Sequence, residues 1–127
     1  TYIIDYLVRQ QGLTMEEASN VMAAPFWTTI AQQSPQRRER LTFLRQAFSS
    51  LLLTGPFSIL VGFDGGLMAL NDRLKLRSMV VGEAGSRVYI SSEESAIRAV
   101  QPDLDRVWAP KGGEAAIFTV KEGVLCR

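Results

Sequence analysis

Apolar residues recur at helical spacing through the first half of the chain and at alternating spacing through the second. Between Tyr2 and Gln11, Ile3, Ile4, Leu7 and Val8 share one helical face, and Gly12 is placed to end that helix in a left-handed conformation. Thr14-Met15-Glu16-Glu17 has the T-x-x-E form of a capping box, which predicts a second helix that Pro25 stops. A short helical piece is expected over Phe26 to Ala31, with Trp27 and Ile30 turned inward. Ser34-Pro35 then supplies an N-cap and a proline at the first helical position, and Gly55-Pro56 closes the far end, so the longest helix is predicted from Pro35 to Leu53. Leu41, Leu44, Phe48, Leu51 and Leu52 form its apolar stripe, Phe43 and Ala47 widen it, and its final turns are expected to be buried. Arg37, Arg38 and Arg40 at its start, against Glu39, oppose the helix dipole, and they suit either a solvated basic face or an anion-attracting helix start.

From Gly55 onward the period changes. Phe57, Ile59, Val61 and Phe63 alternate with smaller or opposed residues, and Asp64-Gly65-Gly66 turns the chain into a partner strand ending at Asn71. A second hairpin is predicted from Met79 to Ser91 through Glu83-Ala84-Gly85-Ser86, then a short helix over Glu93 to Val100. Further strands are predicted at Arg106 to Ala109, Ala115 to Val120 and Val124 to Cys126, with turns at Pro110 to Gly113 and Lys121-Glu122-Gly123. The pattern therefore divides one α+β domain, 1–127, into a helical part, 1–54, and a part of mainly antiparallel strands, 55–127. Leu60 between Ile59 and Val61, and Ile117 beside Phe118, make strands apolar on both faces, as in a sheet covered on both sides. A second sheet or a partner chain is implied.

Composition narrows the chemistry. With 127 residues, 46% apolar, 21% charged and a net charge of +1, the chain can bury a core, and nucleic acid is not expected as a partner. There is no histidine, so a Ser-His-Asp triad, a Cys-His pair and a His-containing zinc site are excluded for this chain alone. The single cysteine, Cys126, forms no internal disulfide, no apolar run approaches the roughly 18 residues of a membrane span, and no signal-peptide pattern opens the chain. A cytoplasmic setting without membrane, metal or cofactor is the expectation.

The stretch Asn71-Asp72-Arg73-Leu74-Lys75-Leu76-Arg77 places four ionic groups in one corner between two apolar runs. Its composition suits either a solvated loop or a buried ionic clasp. Taken in order, Gly55-Pro56-Phe57-Ser58-Ile59-Leu60-Val61, Asp64-Gly65, Leu70 to Arg77, Ile90-Ser91-Ser92-Glu93 and Gly113-Glu114 resemble the C-terminal portion of class II glutamine amidotransferase domains, particularly those of glutamate synthase. There the corner reads like L-D-R-N-G-L-R-P. Asp72, Arg73, Leu76, Arg77, Ser92 and Glu93 are in step with that pattern, whereas Lys75 stands where the family usually has glycine, and Ser78 and Gly112 stand where it has proline.

The resemblance implies an N-terminal-nucleophile hydrolase fold, with antiparallel sheets layered between helices, of which this chain is a partial domain. It also implies a glutaminase function in the parent protein, supplying ammonia from glutamine to a synthase domain or subunit. The partners are then the remainder of the amidotransferase domain and the synthase, with oligomerisation left open. The family's cysteine nucleophile, its glutamine-holding arginine and its oxyanion asparagine-glycine pair precede the matched region, so no catalytic residue is carried over and the chain alone is expected to be inactive. Asp72, Arg73, Arg77 and Glu93 become candidates for supporting roles, with Asp72 clasped to Arg73 or Arg77 and Glu93 capping the turn that follows it. The alternative is a non-catalytic interaction or regulatory module on the same fold.

Overall fold

The computed structural model describes residues 1–121 and 124–126. The N-terminal helix α1 (Tyr2–Asp5) continues as a π-helical stretch, Tyr6–Gln10, and the chain reverses at Gly12 with φ +69°. Helix α2 (Met15–Met22) starts in the expected capping box: the Glu17 N–H donates to the Thr14 hydroxyl, and the Thr14 N–H donates to the Glu17 carboxylate. After it come α3 (Trp27–Ala31) and α4 (Pro35–Ala47).

Two details of this half depart from the sequence pattern. Helix α4 stops at Ala47, short of Leu53, and a single 3-10 turn, Ser49–Leu51, follows. The chain then extends so that the Leu53 N–H reaches the Met22 carbonyl at 2.9 Å, satisfying an acceptor at the end of α2 that a longer α4 would leave open. Ala47 and Phe43 are exposed, Phe43 at 51%, and Leu51 to Leu53 are only half-buried. The stripe narrows to Leu41 and Leu44, which are buried. Trp27 is 50% exposed and only Ile30 of α3 points inward.

The strands β1 (Ser58–Phe63), β2 (Gly66–Asn71), β6 (Ala116–Lys121) and β7 (Val124–Cys126) form one antiparallel sheet in the order β1-β2-β6-β7. A second antiparallel sheet, β4-β3-β5, comprises β3 (Val80–Ala84), β4 (Arg87–Ser91) and β5 (Arg106–Trp108). The predicted turn after Lys121 lies outside the described residues at 122 and 123.

Alternation along the strands decides what each face meets. Met68 and Leu70 of β2 pack with Ile4, Met22 and Ala23 of the helical half, whereas Ala69, Ala116 and Phe118 meet Met79 and Val81 of the second sheet. On the outer face of that second sheet lies helix α5 (Glu94–Val100). Gly82 admits it: an added Cβ there would lie 3.0 Å from Ile97 Cγ2. The protein is thus α+β, with two small antiparallel sheets stacked between helices. Coverage reaches both faces of β2 and β6, but on β1 the residue expected to be doubly enclosed, Leu60, is 55% exposed. Leu60 pairs with Ala69 and so shares the inner face, yet β1 is an edge strand that the narrower second sheet does not reach.

Candidate functional site

The charged corner joins β2 to β3 and is built around one carboxylate. Asp72 is 3% exposed. Its oxygens accept the Leu76 N–H at 3.0 Å, the Arg77 N–H at 3.2 Å and the Phe57 N–H at 3.4 Å. Its own N–H donates to the Phe57 carbonyl, and its carbonyl accepts the Lys75 N–H at 2.8 Å. Burial pushes the Asp72 carboxyl up, and the amides of Leu76, Arg77, Phe57 and Leu74 together outweigh burial, so its pKa lies below the ordinary value. The loop therefore wraps an anion with its own backbone.

That arrangement corrects the expected ionic clasp. Among the described residues neither Arg73 nor Arg77 pairs with Asp72, because short, fixed amides already occupy the carboxylate without ordering a long side chain. Arg77 contributes its backbone, donating its N–H to Asp72 and accepting from Asn71 Nδ2 at 3.2 Å, while its side chain is exposed. Arg73 turns toward the helices, its guanidinium carbon 5.0 Å from the Phe26 ring centroid and Nη1 donating to the Ala24 carbonyl at 3.4 Å. Glu93 does not join the corner in its described contacts: it occupies the N-cap of α5, where its carboxylate accepts the Ser95 hydroxyl at 3.3 Å and makes no bond to the helix amides.

Backbone conformation at the corner carries further information. Lys75 has φ +54°, and among the described residues it is the one non-glycine with positive φ. The left-handed conformation crowds its Cβ against the following carbonyl. Gly112 and Gly113 close the corner from the other side, with the Gly113 N–H donating to the Asn71 carbonyl at 3.2 Å.

Sequence reasoning misses two participants. Asn71 is fully buried, and its Oδ1 has no hydrogen-bond partner among the described residues; in the sequence it reads simply as the end of an apolar strand. Arg45 lies over the Trp27 ring at 4.2 Å from the centroid and donates through Nη1 to the Pro25 carbonyl. Burial, and after it the charge of Arg73, lowers the Arg45 pKa. The outward turn of Trp27 creates this site, and the helical period of α3 gives no sign of it.

A cavity of about 340 Å³ lies between the helices and the corner. Phe26, Gln33, Arg37, Arg73, Lys111 and Gly112 contribute to its wall. No group of three or more His, Cys, Asp or Glu among the described residues could hold a metal ion, and no helix of the described residues is long and apolar enough to cross a membrane.

No protein-family model and no solved structure matches the chain. A curated relative, an uncharacterised protein of Archaeoglobus fulgidus, is 43% identical over 120 residues, which cover 94% of this chain and 32% of the relative. The chain thus spans about a third of the length of that relative.

Proposed function

We propose that the chain is the C-terminal portion of a class II glutamine amidotransferase domain, of N-terminal-nucleophile fold, and that its role in the parent protein is to support a glutaminase site feeding ammonia to a synthase such as glutamate synthase. The observation that carries this reading is Lys75 at φ +54°, at the position where the resembled motif has glycine. The corner keeps a glycine-type backbone although the glycine itself is absent. Two stacked antiparallel sheets between helical elements are the architecture such a domain requires, and a relative of about three times this length leaves room for the catalytic residues elsewhere in a parent.

In this reading the chain supplies position rather than chemistry. Asp72 holds the 72–77 loop by accepting three backbone amides, and Arg73 ties the same loop to the Ala24-Pro25 segment. In the parent protein Asp72→Asn is expected to depress glutamine-dependent synthesis while leaving synthesis from free ammonia nearly intact, because ammonia bypasses a glutaminase site. Equal loss of both activities, or loss of neither alongside unchanged stability, overturns the proposal. The chain alone should release no glutamate from glutamine.

A further inference from the structure

Each arginine on the described surface can be sorted by what neutralises it. Arg9, Arg37, Arg40, Arg98 and Arg106 have carboxylate partners within 4.0 Å. Arg38, Arg77 and Arg87 have none among the described residues, but they are exposed and water solvates them. Arg45 and Arg73 differ from both groups. They are half-buried, have no carboxylate partner among the described residues, and bond to the carbonyls of the consecutive residues Pro25 and Ala24.

Both guanidiniums are also held in place. Arg45 is stacked on Trp27 and Arg73 on Phe26, so each planar fork is fixed before any ligand arrives. Anchored on adjoining carbonyls and partly withdrawn from water, the two like charges repel each other, and an anion bound at Arg73 would relieve that repulsion. The cavity beside Arg73 has the composition to receive one: its wall carries three cationic side chains, Arg37, Arg73 and Lys111, against one carboxylate, Glu114. Arg37 is already paired with Glu16 at 2.8 Å, and Lys111 stands 3.7 Å from Glu114, which leaves Arg73 as the uncompensated cation. The Phe26 ring and the Gln33 amide line the same space, offering an apolar face and a neutral hydrogen-bonding group.

We propose that this cavity is a binding site for a small oxyanion, a metabolite presenting a carboxylate or a phosphate to the Arg73 fork. A volume of about 340 Å³ lies at the lower end of the range for small-molecule pockets, which suits a compact ligand rather than a nucleotide. The site is independent of the glutaminase reading. It needs only the residues named here.

The test is titration of the chain with succinate in one arm and inorganic phosphate in the other, following the amide resonances of Phe26, Gly112 and Gly113 at constant ionic strength. Saturable shifts at these amides are expected in at least one arm, and the arm that saturates identifies the anion class. Arg73→Met should weaken binding about tenfold or more, as loss of a charge-assisted hydrogen bond does. Arg73→Lys should weaken it less, and the exposed Arg87→Met should leave it unchanged. Because Arg73 also anchors the corner, folding of each variant is checked by its amide dispersion, and Lys111→Gln, at the cavity wall but outside the corner, should weaken binding in a chain of unchanged stability. Shifts that rise linearly without saturation in both arms, or binding retained in folded Arg73→Met, overturn the proposal. So does response to an acidic peptide with none to either small anion.

Discussion

A Cβ placed on Gly112 would stand 2.6 Å from the carbonyl oxygen of Arg73. Backbone on backbone cannot yield as a flexible side chain can, so the 112–113 turn fits against the corner only without a side chain. Gly112→Ala should cost about 1 to 3 kcal/mol, read as a lowered urea midpoint. Gly62, with nothing within 4 Å and an ordinary φ, is the comparison: Gly62→Ala should be neutral or slightly stabilising. Equal effects at both positions would mean that the turn does not seat against Arg73.

Asp72 makes stability depend on acid. Because its folded pKa lies below the ordinary carboxyl value, its contribution is complete above the unfolded value of about 3.9 and is lost as pH falls through the folded value. Asp72→Asn, which turns an amide NH₂ toward amide donors, should cost about 2 to 4 kcal/mol at neutral pH and should flatten the acid limb of stability against pH. An acid limb identical to that of the unsubstituted chain would assign the titration to other carboxylates.

Lys75 holds a conformation that suits glycine. Lys75→Gly removes the Cβ crowding and increases the freedom of the unfolded chain, two opposing terms of similar size, with a net gain of up to about 1 kcal/mol expected. Thermal denaturation measures it. A large loss would show that the lysine side chain holds the corner.

On α4, neighbouring residues separate core from surface. Leu44 is 1% exposed and Phe43 is 51% exposed. Leu44→Ala should cost about 2 to 5 kcal/mol, whereas Phe43→Ala, which loses only a half-covered ring and its contact with Arg40, should cost less than about 1 kcal/mol. The ratio of the two denaturation midpoints checks the helix register directly.

What the sequence discloses depends on how local the cause is. The capping box at Thr14 and Glu17, the reversal at Gly12 and the two hairpins are set by residues within a few positions of one another, and each forms where its pattern predicts, although β3 runs on through Glu83 and Ala84 and leaves only Gly85-Ser86 as the second turn. The end of α4 is decided instead by a bond from Leu53 to Met22, across a separation that periodicity does not register. Trp27 reads as core because aromatic residues usually are, yet Arg45, reaching back from another helix, covers one face of its ring and lets it stay at the surface. At the site composition leaves open whether Asp72 is solvated or buried, and its partners are not legible. Four ionic groups in seven residues suggest ion pairs, and only the path of the backbone reveals that amides fill the role.

Amide donors, unlike guanidinium partners, carry no net charge for dissolved ions to screen. The hydrogen bonds that hold the Asp72 corner therefore depend little on ionic strength. The seam between α2 and α4 is not, because it is fastened by Arg37 on Glu16 and Arg40 on Glu17 near the surface, where a Debye length of about 8 Å at physiological salt already weakens such pairs. The molecule thus divides into a turn whose bonds tolerate salt and a helical cover whose surface ion pairs do not, and concentrated electrolyte should weaken those pairs while Leu44 still holds α4 against Ala18 and Val21.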